Sequence, residues 1–195
     1  MNFVVTQHLL EGARFVESPN QSERSADSTI ELLVIHNISL PPGEFGSPAI
    51  EELFCNQLDC SAHPYYEALE NLQVSAHLLI DRSANITQFV PFNCKAWHAG
   101  QSQFQGRENC NEFSIGIELE GTDDTAFTDA QYGALIEVTL ALMNTYPALT
   151  VDRIVGHSDI APDRKTDPGP CFDWSRYRAG LADRTSQEAR RAQNQ

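Results

Sequence analysis

Residues 156–170 bring a histidine, a lysine and several aspartates together in a stretch that also contains three prolines. Proline breaks helices and central strands, so the sequence predicts a stiff loop without a regular element. Loops that carry such side chains often position chemistry. For this segment alone, a solvated turn rich in aspartate and proline is the alternative interpretation.

A third residue extends the pattern beyond this loop. His36 ends a short apolar segment, residues 30–36, that predicts a buried strand. By itself, His36 is most simply a half-buried structural histidine. His36, His157 and Asp167 together supply two imidazoles and one carboxylate. This set gives zinc three protein ligands and leaves a fourth position for water. Such a site lowers the pKa of water from about 15.7 to about 7, which produces a hydroxide able to attack an amide.

Amide hydrolysis needs two more groups, a carboxylate that transfers a proton and a cation that stabilises the oxyanion. Lys165 is a candidate for the cation, and Glu118 is a candidate for the carboxylate. Glu120 lies two residues further on and shares the same face of a strand. Spacing alone does not choose between the two glutamates.

The predicted elements form a single α/β domain around a mixed central sheet flanked by helices. We predict strands over 30–36, 74–81, 86–90, 113–120 and 151–156, and helices over 48–58, 129–145 and 174–181. The longest helix starts with a capping box, Thr128 and Gln131. His77 falls inside an apolar strand and is expected in the core, whereas His98 either lines a cleft or has a structural role. The domain is expected over 1–183, followed by a polar, frayed tail over 184–195.

The chain of 195 residues has a net charge of −14 and 41% hydrophobic residues. This charge repels phosphate backbones, so we expect no nucleic-acid or membrane partner. The five cysteines form no C-x-x-C pair, which disfavours a disulfide framework and agrees with a reducing compartment. The N-terminus lacks the pattern of an export signal, so we expect a cytoplasmic location. A monomer is the default expectation for the oligomeric state.

Several segments resemble family 2 of the N-acetylmuramoyl-L-alanine amidases, in particular the 1,6-anhydro-N-acetylmuramyl-L-alanine amidases of cell-wall recycling. The resemblance extends from about residue 30 to about residue 178, and its most specific segments are 36–46, 97–100, 114–121 and 156–170. It implies a fold shared with phage amidases and peptidoglycan recognition proteins, with zinc in a surface groove. It also implies cleavage of the amide between anhydromuramic acid and L-alanine in an anhydromuropeptide substrate.

The same resemblance implies roles for individual residues. The zinc ligands would be His36, His157 and Asp167. Glu118 would be the catalytic carboxylate and Lys165 the transition-state stabiliser, while Glu120 would not be catalytic. Substrate contacts would come from Asn37, Trp97, Arg107 and Arg164.

The chain departs from the family pattern at two positions, because Gln73 and Asn109 stand where relatives carry arginine. Those arginines would pair with carboxylates of the stem peptide. We therefore expect the KM for diaminopimelate-containing peptides to depend less on salt than in arginine-bearing relatives. Equal salt dependence of KM in the two enzymes would contradict this expectation.

Two other functions are compatible with parts of the sequence. One is a muropeptide-binding sensor without catalysis, although such proteins typically lack part of the metal triad. The other is a lytic amidase that acts on polymeric cell wall, although the chain shows neither an export signal nor a wall-binding module.

Overall fold

The computed structural model describes residues 3–193. Six strands form the central sheet: β1 (Arg14–Phe15), β2 (Leu32–Ile38), β3 (Leu78–Ile80), β4 (Ile86–Gln88), β5 (Ser114–Glu120) and β6 (Ile154–Gly156). Their order across the sheet is β6-β2-β5-β3-β4-β1. All neighbours are parallel except the hairpin β3–β4, so the predicted mixed sheet and the predicted hairpin are both confirmed.

The centre of the sheet is buried, whereas both residues of the edge strand β1 are exposed. Strand β5 is buried at every position, as expected for a parallel strand covered on both sides. The helices are α1 (Ala49–Phe54), α2 (Pro64–Glu67), α3 (Asp129–Thr145), α4 (His157–Ile160) and α5 (Trp174–Gln193). Three short strand pairs lie outside the sheet: Val5–Thr6 with Leu9–Leu10, Gln21–Glu23 with Cys94–Ala96, and Gln103–Phe104 with Arg107–Glu108.

Alternate residues of β5 point to opposite faces of the sheet. Ile115, Ile117 and Leu119 pack against the apolar side of α3 in the main core. The predicted capping box of α3 is present, with Thr128 and Gln131 bonded reciprocally. Because the odd-numbered residues of β5 occupy the core, its even-numbered residues lie on the other face, which carries the candidate site.

Helix α3 contains a glycine where the fold requires none. A Cβ added at Gly133 would meet no atom within 4 Å. Because glycine in a helix interior costs about 0.5–1 kcal/mol relative to alanine, Gly133→Ala should raise the free energy of unfolding by that amount. Urea denaturation measures this change, and a lower midpoint in the variant would contradict the prediction.

The structure corrects several predicted boundaries. The segment 156–170 does contain a regular element, the helical turn His157–Ile160, because its first proline comes only at position 162. The predicted helix over 48–58 ends at Phe54, and the predicted strand over 74–81 is reduced to Leu78–Ile80. The predicted strand over 151–156 starts with a 3-10 turn, Val151–Arg153.

The last helix is longer than predicted. It continues from Trp174 to Gln193 rather than ending near Leu181, because no proline or glycine follows Gly180 to interrupt it. The residues predicted as a frayed tail are therefore helical as far as Gln193, and residues 194–195 lie outside the described part. The domain boundary at 183 remains a prediction. Within residues 3–193, no helix is long and apolar enough to cross a membrane.

Candidate metal centre and groove

The topology of the sheet brings two candidate residues side by side. Strands β2 and β5 are parallel neighbours, and their register pairs His36 with Glu118. Strand β6 lies on the other side of β2, where Gly156 pairs with Ile35, so His157 follows directly at the start of α4. The carboxyl ends of adjacent parallel strands meet at one edge of a sheet, which is a common place for a ligand site.

Three candidate ligands converge at this edge. The Nδ1 atom of His36 lies 3.0 Å from Nδ1 of His157 and 2.9 Å from Oδ2 of Asp167. Nδ1 of His157 lies 3.1 Å from the same Asp167 oxygen. One ligand atom from each residue is thus available within a sphere of a few ångströms, and both histidines are buried. Two imidazoles and one carboxylate are a donor set that suits zinc and leaves a coordination position open.

The loop that carries Asp167 is fixed by backbone and side-chain hydrogen bonds. The backbone N–H of Ser158 donates to the carbonyl of Asp167 at 3.0 Å. The side-chain amide of Asn37 donates to Oδ1 of Asp123 at 2.7 Å and to the carbonyl of Pro168 at 3.0 Å. These bonds tie the loop to the end of β2, so Asp167 is held relative to His36.

The second nitrogen of each histidine also has a partner. Nε2 of His157 lies 3.1 Å from the carbonyl oxygen of Ala99, and Nε2 of His36 lies 2.9 Å from Nδ1 of His98. Nε2 of His98 in turn lies 3.0 Å from Oγ of Ser114. Partners of this kind orient metal-binding imidazoles and fix their tautomers. Both interpretations left open for His98 describe part of its position, because its side chain is buried beside the candidate ligands and also lines the groove.

Burial governs the protonation of these groups. It lowers the pKa of His36 to about 4, against the opposing hydrogen bond to Asp167, and lowers the pKa of His98 well below its ordinary value. Burial would raise the pKa of Asp167, but its hydrogen bonds with His157 and His36 outweigh this and bring the pKa below its usual range. At neutral pH His36 thus offers a bare ring nitrogen and Asp167 offers a carboxylate, which are the forms that bind a metal.

Glu118 lies in the same groove with an unsatisfied oxygen. Its side chain is 9% exposed, and Oε2 is buried without a hydrogen-bond partner among the described residues. Burial raises the pKa of Glu118 well above its usual range, the charge of Asp167 adds to this effect, and Lys165 opposes it. A carboxyl group with a raised pKa is suited to accept and return a proton near neutral pH.

The structure distinguishes the two glutamates that spacing did not. The carboxylate of Glu120 is buried and accepts hydrogen bonds from the backbone N–H groups of Gly46 and Arg82. Glu120 therefore holds two loops together, whereas Glu118 faces the groove beside the candidate ligands.

The groove has a volume of about 650 Å³ and includes all the candidate ligands, together with Glu118 and Lys165. Asn37, Trp97 and Arg164 also line it. The indole N–H of Trp97 donates to Ser22, and the guanidinium of Arg164 donates to the carbonyls of Ala99 and Gln101. The apolar residues of the lining, called the apolar wall below, are Leu40, Pro42, Leu53, Phe54, Tyr65, Leu69, Leu72 and Val74.

Arg107 is placed differently from the other predicted substrate contacts. Its guanidinium pairs with Glu31 at 2.5 Å and stacks over the ring of Phe113, 4.0 Å from the centroid. It does not belong to the lining of the groove. The expected substrate contact by Arg107 is therefore not supported by its position.

Sequence reasoning missed the apolar wall of the groove. Tyr65 and Leu72 line the groove and are each 44% exposed. Tyr65 belongs to the four-residue helix α2, which is too short to show a periodic pattern, and Leu72 follows that helix. Gln73, which departs from the family pattern, also lines the groove.

Comparison with known proteins agrees with this architecture. The family model described as N-acetylmuramoyl-L-alanine amidase matches residues 26–170. The chain therefore belongs to the N-acetylmuramoyl-L-alanine amidase family.

Individual members of the family and their solved structures are also similar to this chain. The chain is 56% identical to the 1,6-anhydro-N-acetylmuramyl-L-alanine amidase AmpD of Escherichia coli over 94% of this chain and 100% of that protein. It superposes on a crystal structure of a selenomethionine derivative of AmpD with a TM-score of 0.89, over 91% of this chain and 99% of the other. A structure of AmiD from E. coli with the substrate anhydro-N-acetylmuramic acid-L-Ala-D-gamma-Glu-L-Lys is 28% identical, with a TM-score of 0.57 and coverage of 92% and 65%.

Proposed function

We propose that this chain is a zinc-dependent enzyme that hydrolyses the amide between 1,6-anhydro-N-acetylmuramic acid and L-alanine in muropeptides. The observation that carries the proposal is the convergence of His36, His157 and Asp167 in one groove with Glu118, whose buried Oε2 has no hydrogen-bond partner among the described residues. The high identity to AmpD across nearly the whole chain supports the choice of amide.

The three ligand residues would hold zinc, which supplies Lewis-acid polarisation of the amide carbonyl and a lowered pKa for water. Glu118 accepts a proton from the attacking water and returns it to the leaving amine of L-alanine. Lys165 also lines the groove, and its positive charge stabilises the negative charge that develops on the amide oxygen.

The remaining groove residues would orient the substrate. Trp97 offers an aromatic surface, and the apolar residues of the lining offer contacts for apolar parts of the substrate. The side-chain N–H groups of Asn37 donate to Asp123 and to the carbonyl of Pro168. The side-chain oxygen of Asn37 is therefore the atom that would contact the substrate. The guanidinium of Arg164 donates to the backbone carbonyls of Ala99 and Gln101, and these bonds hold its charge in the lining of the groove.

The proposed setting is a monomer in the cytoplasm, without a nucleic-acid or membrane partner. All five cysteines are free thiols, which agrees with a reducing compartment. The net charge of −14 opposes binding to phosphate backbones and anionic lipids.

Removal and return of the metal tests the proposal. Treatment with a chelator should abolish release of L-alanyl peptide from an anhydromuropeptide, and one equivalent of zinc should restore it. The measurement combines metal analysis with mass spectrometry of the products. Full activity in a verified zinc-free sample would refute zinc dependence. Binding without cleavage would indicate a sensor, and a preference for intact sacculi would indicate a lytic amidase.

A further inference from the structure

A row of three hydrogen-bonded side chains starts at the candidate ligand His36 and leads away from the groove. Its members are His36, His98 and Ser114, with contacts of 2.9 Å between the two imidazoles and 3.0 Å between His98 and the hydroxyl. All three residues are buried, at 1%, 9% and 0% exposure. Because these side chains are buried, the partners of each ring nitrogen, rather than solvent, constrain where its proton lies.

A neutral imidazole has one N–H and one bare nitrogen, so the row has only two directions. If Ser114 donates to His98, then His98 donates to His36, and the proton of His36 sits on Nδ1, facing Asp167. If His36 donates to His98, then His98 donates to Ser114, and Nδ1 of His36 is bare. Only the second direction leaves His36 able to bind a metal through the nitrogen that faces the other ligands.

We propose that His98 and Ser114 are positioning residues that hold His36 in the Nε2–H tautomer and so aim its bare Nδ1 at the zinc. The inference rests on the zinc site of the proposed function. A serine hydroxyl both donates and accepts, so Ser114 can serve the row in either direction. Metal binding would then select one direction, and the contact between His98 and the Ser114 hydroxyl is kept in both.

The spacing of residues on β5 fits this role. Ser114, Gly116 and Glu118 are alternate residues of the strand and therefore share the face that carries the site. A Cβ at Gly116 would lie only 2.5 Å from the ring of His98. The absence of a side chain at Gly116 thus leaves space for the imidazole of His98 on the strand face that also carries Ser114 and Glu118.

A second buried histidine provides a matched control. The ring of His77 lies against His98, with 5.8 Å between centroids. Its Nδ1 accepts from the backbone N–H of Gly116 at 3.0 Å, and its Nε2 lies 3.1 Å from the carbonyl of Cys94. His77 is a buried imidazole of the same environment that makes no hydrogen bond to a candidate ligand in the described residues.

The test compares zinc affinity, measured by competition with a chromogenic chelator, in His98→Phe, His98→Gln and His77→Phe. His98→Phe should weaken zinc binding by about 10–100-fold, the usual cost of losing an outer partner of a metal ligand. His98→Gln should recover most of the loss, because an amide oxygen can accept from His36 while its N–H donates to Ser114. His77→Phe should bind zinc as the wild type does.

Nitrogen-15 NMR of histidine-labelled wild-type protein gives a readout that does not depend on any variant folding. With zinc bound, the proton of His36 should sit on Nε2 and that of His98 on Nε2. A proton on Nδ1 of His98, or zinc affinity in His98→Phe equal to wild type, would overturn the inference. Failure of the wild type to bind zinc at all would instead refute the proposed function.

Discussion

Glu118→Gln is expected to slow turnover by at least about 100-fold while zinc stays bound, because the amide cannot carry a proton from water to the leaving amine. The substitution preserves size and removes only the titratable group. Since Oε2 of Glu118 has no partner among the described residues, no hydrogen bond of the fold is lost with it. Steady-state kinetics on an anhydromuropeptide, together with metal analysis, measures both effects.

Glu120→Gln is the matched control for this experiment. The same chemical change two residues away removes one acceptor from a carboxylate that binds two backbone N–H groups. We expect it to lower the free energy of unfolding by about 1–3 kcal/mol and to leave the zinc content and the catalytic step intact. If Glu120→Gln lost turnover and Glu118→Gln kept it, the assignment of the catalytic carboxylate would be wrong.

Asp167→Asn is expected to remove zinc as well as activity. A neutral amide is a poor replacement for the carboxylate among zinc ligands. The substitution also alters the contacts with His36 and His157 at 2.9 and 3.1 Å. The loss of zinc affinity should therefore exceed the roughly 10–100-fold cost of disturbing an outer partner. Competition with a chelator measures it, and the enzyme should remain inactive at zinc concentrations that saturate the wild type.

Asp163→Asn controls for a change of charge in the same loop. Asp163 is exposed, and its φ of +66° lies in the left-handed region, which asparagine adopts as readily as aspartate. Zinc affinity should stay at the wild-type value in this variant. Equal loss of zinc in Asp163→Asn and Asp167→Asn would mean that the net charge of the loop, rather than a specific ligand, governs binding.

The two predictions separate two roles within one groove. Glu118→Gln should give a protein that holds zinc and turns over slowly, whereas Asp167→Asn should give one that does not hold zinc. A side chain that serves only the packing of the groove would produce neither pattern.

The sequence by itself determined the class of fold and the identity of the candidate site residues. Apolar runs such as 30–36 predict buried strands because strands covered on both faces have no polar side to display. The capping box at Thr128 places the start of α3 because that signal is local. His36, His157, Asp167 and Glu118 were identified from residue type and from family resemblance, and the structure places all four in one groove.

Only the tertiary structure decided how these residues relate to one another. Glu118 and Glu120 share a face of β5, and the loops that meet each of them determine which one is bound to backbone N–H groups. The partnership of His98 with His36 joins residues 62 positions apart, and Arg107 points to Glu31 rather than to the groove. Such contacts depend on strand order and loop paths, whereas sequence patterns report only local conformation and burial.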